Sequence, residues 1–373
     1  MAHIPIIVSV GEASGDRIAA PVVRELASRR PELRFFGTGG SELQAAGVET
    51  RFDIDKLAVT GLTEAVRRAR VAARVYADIW LQVRVRRPYL ALLVDYPGLN
   101  LRLAGMLRRG GVPVLYYVAP QRWAWLGSRA AGIALRVNRL AVTLPFETEF
   151  FAKHGVKATF VGHPAVDLFS AVPRAQARAE LAADDQRPLV ALLPGSRENE
   201  VKRHLPEMQK AAELLAEQVN ARAALVTLGG SHAELCRSLA PELPQTSAAQ
   251  ALGAADAAIC ASGTATMEAA LAGVPTVVVY KVSRATAAVA KRLLQVPTIA
   301  LPNLVLGEAL LPELLQEAVT AERMADSTRA LLDEQHGAQV RAGLARVRGM
   351  LGEPGVAARV ADIAETLLPA RWS

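Results

Sequence analysis

Cys260-Ala-Ser-Gly-Thr-Ala-Thr-Met-Glu268 is the stretch on which the reading of this chain turns. The apolar run Ala257–Cys260 reads as a short buried strand, Ser262, Gly263 and Thr264 make a turn, and a helix begins at once. First-turn amides of a helix have no intrahelical partner and carry the positive end of the macrodipole, so a phosphate is their natural guest. Glu268 lies one turn further in, within reach of ribose hydroxyls. Upstream, Leu193-Pro-Gly-Ser-Arg197 repeats the strand-to-helix pattern. Gly195 and Ser196 form the turn, and Arg197 offers a forked cation for a diphosphate. Two such loops in one half of a chain point to a nucleoside diphosphate; the plainer reading is two ordinary βα turns.

Outward from these loops the whole chain alternates. Apolar runs at 4–10, 34–36, 90–94, 114–117, 140–143 and 159–161 are each followed by a turn and a helical pattern. A second series follows at 189–193, 223–228, 257–260 and 276–279. Continuous apolar strands between amphipathic helices predict parallel sheets covered on both faces. At 373 residues the chain suits two domains. The expected fold is α/β, with two doubly wound Rossmann-like domains over 1–168 and 169–352 facing a central cleft, and a closing helix over 353–373 returning to the first domain. Ligands of such sheets lie at the carboxyl ends of strands. In the first domain those ends carry Gly11-Glu-Ala-Ser-Gly-Asp16, Gly37-Thr-Gly-Gly40 and Asp95-Tyr-Pro97. None of these matches GxGxxG or the Walker pattern, so a dinucleotide or P-loop site is disfavoured.

Composition narrows the classes. Cys236 and Cys260 are the only cysteines, and the six histidines are scattered, which predicts neither a disulfide framework nor a metal site. The longest stretch free of charge, 293–307, is broken by Pro297 and Pro302, so no spanning helix is expected. The first ten residues read as a strand and not as a signal peptide. Residues 1–170 hold 23 Lys and Arg against 14 Asp and Glu, whereas the remainder holds 20 against 22. The basic half therefore calls for an anionic partner. Within it, residues 64–87 place Arg67, Arg70 and Arg74 on one side of a helix and Ala72, Tyr76, Ile79, Trp80 and Val83 on the other. That pattern suits an interfacial helix on an anionic membrane, or a surface helix packed on its sheet. A bare basic patch without a recognised motif is weak ground for nucleic acid, and none is expected as partner.

Taken in order, Gly11-Glu-Ala-Ser-Gly-Asp16, Leu57-Ala-Val-Thr-Gly-Leu-Thr-Glu64, Tyr117-Val-Ala-Pro-Gln-Arg-Trp-Ala-Trp125, Leu144-Pro-Phe-Glu147, Val161-Gly-His-Pro164, Leu193-Pro-Gly-Ser-Arg197, Ala261-Ser-Gly-Thr264 with Glu268, and Leu301-Pro-Asn303 resemble the lipid-A-disaccharide synthase family of GT-B glycosyltransferases. The resemblance implies an inverting, metal-independent hexosyltransferase. Its donor would be UDP-2,3-diacylglucosamine, a substrate and not a cofactor, and its acceptor 2,3-diacylglucosamine 1-phosphate. The product would be a β-1,6-linked disaccharide phosphate, made by a cytoplasmic protein held peripherally on the inner face of the inner membrane. A homodimer is left open. By position, Gly195, Ser196, Arg197, Ser262, Gly263, Thr264, Glu268 and Asn303 would hold the UDP part, while Glu12, Ser14, Asp16 and Trp125 would shape the acceptor side. His163 would touch substrate or order the hinge.

One departure bears on the chemistry. The family's Asp-x-Pro-Asp-Phe-Asn motif stands here as Asp95-Tyr-Pro-Gly98-Leu-Asn100, so Gly98 replaces the carboxylate favoured as base. Either Asp95, Asp16, Glu12 or His163 takes that proton, or the activity is altered or lost. Glu308, where the family often carries Arg, is a milder departure. Asp53-Ile-Asp55 mimics a metal-binding DxD, but a solvated turn is expected there. Two alternatives remain: a related GT-B enzyme, transferase or epimerase, on another UDP-sugar, or a UDP-binding membrane-surface protein with reduced catalysis.

Overall fold

The computed structural model describes residues 3–53, 64–120, 131–183, 186–283 and 298–369. It divides into two compact units, residues 1–164 with 353–373 and residues 165–352, so the short helix Ala165–Leu168 belongs with the second.

The first unit is built on β1 (Ile4–Ser9), β2 (Leu33–Gly39), β3 (Val48–Asp53), β4 (Leu90–Val94), β5 (Val114–Tyr117), β6 (Arg139–Val142) and β7 (Ala158–Phe160). They form one parallel sheet in the order β3-β2-β1-β4-β5-β6-β7. Every residue of β4 is buried, as a strand covered on both faces requires. One face packs on the helices Ala13–Arg29 and Val356–Glu365: Val22 and Leu26 of the former and Val360 and Ala364 of the latter share a core with Ile6 and Val8. The guanidinium of Arg29 fixes that closing helix, donating to Asp362 at 2.6 Å and Glu365 at 3.2 Å. The other face packs on the helices Glu64–Arg86 and Pro97–Arg109 through Val75, Ile79, Leu103 and Leu107.

The second unit repeats the plan with β8 (Leu189–Leu193), β9 (Arg222–Val226), β10 (Gln245–Thr246), β11 (Ala257–Ala261), β12 (Thr276–Tyr280) and β13 (Glu313–Leu315). The order is β10-β9-β8-β11-β12-β13, again all parallel. Chain direction across each sheet reverses at one place, between β1 and β4 and between β8 and β11. Loops leaving those strands diverge there and leave a crevice for a ligand.

Three strands escaped the sequence reading, namely β3, β10 and β13, and each is a sheet edge. An edge strand lacks one neighbour, so it need not be uniformly apolar; Val-Glu-Thr-Arg-Phe-Asp and Gln-Thr carry no such signal. Asp53 is the last residue of β3 and not part of a turn, while Ile54 and Asp55 lie outside the described residues.

The 64–86 helix also differs from its expected wheel. Val75 and Ile79 are buried, and Tyr76 and Val83 pack partly against the same core. Trp80, expected beside them, is instead 41% exposed, with Leu81 at 52% and Val85 at 72%. Arg84 lies over the Trp80 ring, 4.1 Å from its centroid. Arg86 is committed to Glu49 through two hydrogen bonds of 2.6 and 2.7 Å and lies over Phe36. Tyr76, Ile79 and Val83 thus serve the core, and a separate strip of Trp80, Leu81 and Val85 faces outward.

Candidate functional site

At the first unit's crevice, three neighbouring strand ends are sewn together by buried polar side chains. Asn100 accepts from the Ser9 hydroxyl at 2.8 Å, and its amide donates to the carbonyls of Ser9, Val94 and Asp95 at 3.2, 3.0 and 2.9 Å. The Thr38 hydroxyl donates to the carbonyl of Val10 at 2.9 Å and accepts from its amide at 3.2 Å. Each polar atom buried here needs such a partner, since an unmet one costs about 1–3 kcal/mol. The Tyr116 hydroxyl adds a bond to the Asp95 carbonyl at 2.6 Å.

This network holds Asp95 and Tyr96 in left-handed conformations, with φ of 47° and 46°. Two successive non-glycine residues of this kind store roughly 1–3 kcal/mol each, and such strain gathers at functional sites. The Tyr96 ring lies on Gly11: a Cβ there would meet ring carbons at 2.2 Å, so position 11 admits only glycine. Glu12 follows, half-buried, as the extended residue before the 13–29 helix. Glu12 and Asp95 therefore stand at the ends of adjacent strands. Asp16 turns away from that rim. It is buried and accepts from the amides of Gly40, Glu42 and Leu43 at 2.8, 2.9 and 3.3 Å, bracing the turn after β2. His163 is buried near the end of the first unit, and burial pulls its pKa down to about 4, so its ring is neutral near pH 7. Position 98 is exposed, with no atom within 4 Å of where a Cβ would lie. Ser14 is exposed in the first turn of the 13–29 helix, and Trp125 lies outside the described residues.

At the second crevice the loop 194–197 leaves β8 and enters the helix Glu198–Val219. Gly195 has φ of 112°, and a Cβ there would meet the Glu200 carboxylate at 2.6 Å. Glu200 Oε2 accepts from the amides of Ser196 and Arg197 at 3.1 and 3.2 Å, and Oε1 holds the Arg197 guanidinium at 3.3 Å. On the neighbouring strand, Ser262 is fixed by its amide to Val279 and by its hydroxyl to the Ile299 carbonyl at 3.3 Å. Gly263 begins the helix Thr264–Leu271 without a capping side chain; Thr264 is exposed and Glu268 half-buried. Asn303 differs from its expected setting. Its amide donates to the Leu311 carbonyl and to Glu313 at 2.9 and 3.0 Å, and its oxygen accepts from the amides of Leu310 and Leu311. Its hydrogen bonding is engaged within the protein, so it anchors the segment that Ser262 touches.

The sequence reading passed over the side chains that hold these loops. His204 stands on the apolar stripe of the 198–219 helix, between Val201 and Met208, and is fully buried. A polar residue at such a position is the signal that was available. His232, Glu200 and Glu313 carried none.

Two doubly wound parallel sheets, one in each unit and each with one reversal of strand order, follow the plan of the GT-B fold. Among solved structures the chain resembles UDP-GlcNAc 2-epimerase from Neisseria meningitidis bound to UDP-GlcNAc, with a TM-score of 0.66 and 10% identity over 98% of this chain and 100% of that one. It also resembles a calicheamicin glycosyltransferase, with a TM-score of 0.62 and 17% identity over 98% of each chain. At such identities these likenesses speak for the fold. The model of the lipid-A-disaccharide synthetase family matches residues 6–355. The chain is 40% identical to the lipid-A-disaccharide synthase of Geobacter metallireducens over 97% of each chain. It is 41% identical to that of Myxococcus xanthus over 98% of this chain and 97% of the relative. The chain belongs to the lipid-A-disaccharide synthase family.

Proposed function

We propose that this hexosyltransferase moves 2,3-diacylglucosamine from UDP to the 6-hydroxyl of 2,3-diacylglucosamine 1-phosphate, forming the β-1,6 lipid A disaccharide precursor and releasing UDP. The observation that carries this reading is the pair of loops leaving β8 and β11, on a chain with family likeness over nearly its full length. Gly195, Ser196, Arg197, Ser262, Gly263, Thr264 and Glu268 receive the UDP part, and Asn303 supports them from behind. As the sugar leaves, negative charge grows on the diphosphate, and Arg197 with the amides of the 264–271 helix stabilises it. Arg197 is exposed, and on reaching phosphate its guanidinium exchanges the 3.3 Å bond to Glu200 for phosphate oxygens. On the acceptor side Asp95 takes the hydroxyl proton, with Glu12 beside it, and inversion follows from direct attack. Asp16 and the neutral His163 position backbone there. No metal takes part.

Among the described residues no helix is long and apolar enough to cross a membrane. The outward strip of Trp80, Leu81 and Val85, flanked by Arg84 and Arg87, instead docks on the anionic inner face of the inner membrane, where acylated substrates reside. The test is mass spectrometry of the product from defined acylated donor and acceptor in lipid-containing buffer. A disaccharide phosphate is expected; its absence, with both substrates intact, removes the reading.

A further inference from the structure

Two imidazoles grip consecutive carbonyls of the loop assigned above to the diphosphate. His204 Nε2 lies 3.1 Å from the Lys281 amide, which can only donate, so this nitrogen carries the lone pair. The proton therefore sits on Nδ1 and is donated to the Pro194 carbonyl at 2.9 Å. Burial lowers the His204 pKa and keeps the ring neutral, as this arrangement requires. His232 has the opposite tautomer. Its Nδ1 accepts from the Leu228 amide at 3.3 Å, and Nε2 donates to the Gly195 carbonyl at 2.9 Å. The rings come from different helices, Glu198–Val219 and Gly230–Leu239. With no cis peptide in the described chain, each amide points opposite to the carbonyl of its own peptide plane. Fixing the carbonyls of Pro194 and Gly195 therefore fixes the direction of the Gly195 and Ser196 amides. Gly195, at φ of 112°, has the most freedom to let those planes turn if unheld.

We infer that His204 and His232 are positioning residues that set the peptide planes of the donor-diphosphate loop and thereby the affinity for the UDP part. This rests on the nucleotide reading of that loop. Neither ring touches substrate; each acts through a backbone carbonyl. The two nitrogens of His204 can be separated by substitution. His204→Asn keeps a donor for Pro194 and gives up the acceptor for Lys281, His204→Gln does the reverse, and His204→Leu loses both. At His232 the donor to Gly195 survives in Gln and is lost in Leu.

The experiment is calorimetric titration of UDP into the intact parent and variants, with steady-state kinetics on the acylated substrates and a thermal melt of each. The Leu variants are expected to bind UDP about tenfold more weakly, the order expected for one lost buried hydrogen bond. Donor KM rises more than kcat falls, and acceptor KM stays within about twofold. His204→Asn and His232→Gln recover most of the affinity, while His204→Gln does not. A folded His204→Leu protein that binds UDP within twofold of the parent overturns the inference. Should that variant fail to fold, the His232 pair decides by the same measure, since that ring is only half-buried. A parent that binds no UDP overturns the nucleotide reading as well. A parent that binds, with Leu variants equal to it, overturns the positioning role alone.

Discussion

Replacing Asp95 by Asn isolates the proton transfer from the architecture around it. The backbone of residue 95 bears the structural load: its carbonyl accepts from Asn100 and Tyr116, and its amide donates to Tyr117. Asn is isosteric and tolerates φ of 47° at least as well as Asp, so those bonds persist and the fold is expected to hold. What disappears, on the proposed function, is a base worth about 10²–10⁴ in rate, or roughly 3–5 kcal/mol of barrier. Expected kcat for Asp95→Asn is therefore lower by that factor, with UDP affinity within about twofold. Gly98→Asp supplies the second half of the experiment. Position 98 is in the first turn of the Pro97–Arg109 helix, its φ is not left-handed, and no atom lies within 4 Å of an added Cβ. A carboxylate there gains about 0.3–1 kcal/mol from the helix amides and roughly as much from the loss of glycine's unfolded entropy. Gly98→Asp alone is expected to raise the melting temperature by about 2 °C and to change kcat less than threefold. In the Asp95→Asn background it should restore tenfold or more. Rates from quenched assays of donor and acceptor at saturation decide the matter. Undiminished turnover by Asp95→Asn refutes the assignment, and so does a hundredfold gain from Gly98→Asp alone.

His163 makes stability depend on pH. Its folded value is about 4 against an ordinary 6.5, so between these the unfolded chain binds a proton that the folded chain refuses. Stability from this group is complete above pH 6.5 and declines as pH falls toward 4, by about 3 kcal/mol in all. Denaturant melts of the parent and His163→Gln across that window should converge as pH drops; parallel curves would show that burial is not what holds the ring neutral. Trp80→Glu with Val85→Glu should weaken binding to vesicles containing anionic lipid at least tenfold, read by co-sedimentation, while leaving UDP affinity untouched. Equal sedimentation would show that another surface meets lipid. Removal of divalent cations with EDTA should leave UDP binding and turnover within twofold; loss restored by Mn²⁺ would mean a metal is required. The Glu308–Arg346 pair is largely exposed at both ends, so Arg346→Ala should move the melting temperature by less than about 1 °C.

Much of the fold was legible because central parallel strands must be apolar on both faces. Leu90–Val94, Val114–Tyr117 and Leu189–Leu193 could be read to the residue for that reason. The edges β3, β10 and β13 could not, having no second neighbour to enforce the pattern. On the helix at 64–86, a wheel separates polar from apolar but cannot tell an apolar residue under the sheet from one facing out. Trp80 fell on the wrong side of that division. Site legibility had the same boundary. Turn residues such as Gly195 and Gly263 announce a loop through their conformational needs. Which acid then fills that loop depends on long-range geometry, as Asp16 shows by bonding the amide of Gly40, in the turn after β2 and 24 residues away in sequence.

That last point separates the two proposed phosphate loops. Internal carboxylates cover several amide clusters near the ends of these strands: Asp16 those of Gly40, Glu42 and Leu43, Glu147 those of Thr143 and Leu144, Glu313 those of Ile299 and Ala300. Glu200 does the same for Ser196 and Arg197. A phosphate arriving at the 195–197 amides must compete with a carboxylate already fixed by two hydrogen bonds. The start of the 264–271 helix has no such side-chain cap among the described residues. Its amides accept an anion without first losing one, and the helix dipole adds to the gain. On the proposed reading, then, the two loops divide the labour. The 263–266 turn supplies the ready seat for the diphosphate, and the 195–197 loop, its peptide planes set by His204 and His232, adds the Gly195 amide, which Glu200 does not cover, and the Arg197 guanidinium. Arg197→Ala should therefore cost more in kcat than in UDP affinity, whereas Gly263→Val, crowding the open helix start, should cost mainly affinity. The reverse pattern in calorimetry and single-turnover rates would place the diphosphate on Ser196 and Arg197 and require Glu200 to move aside.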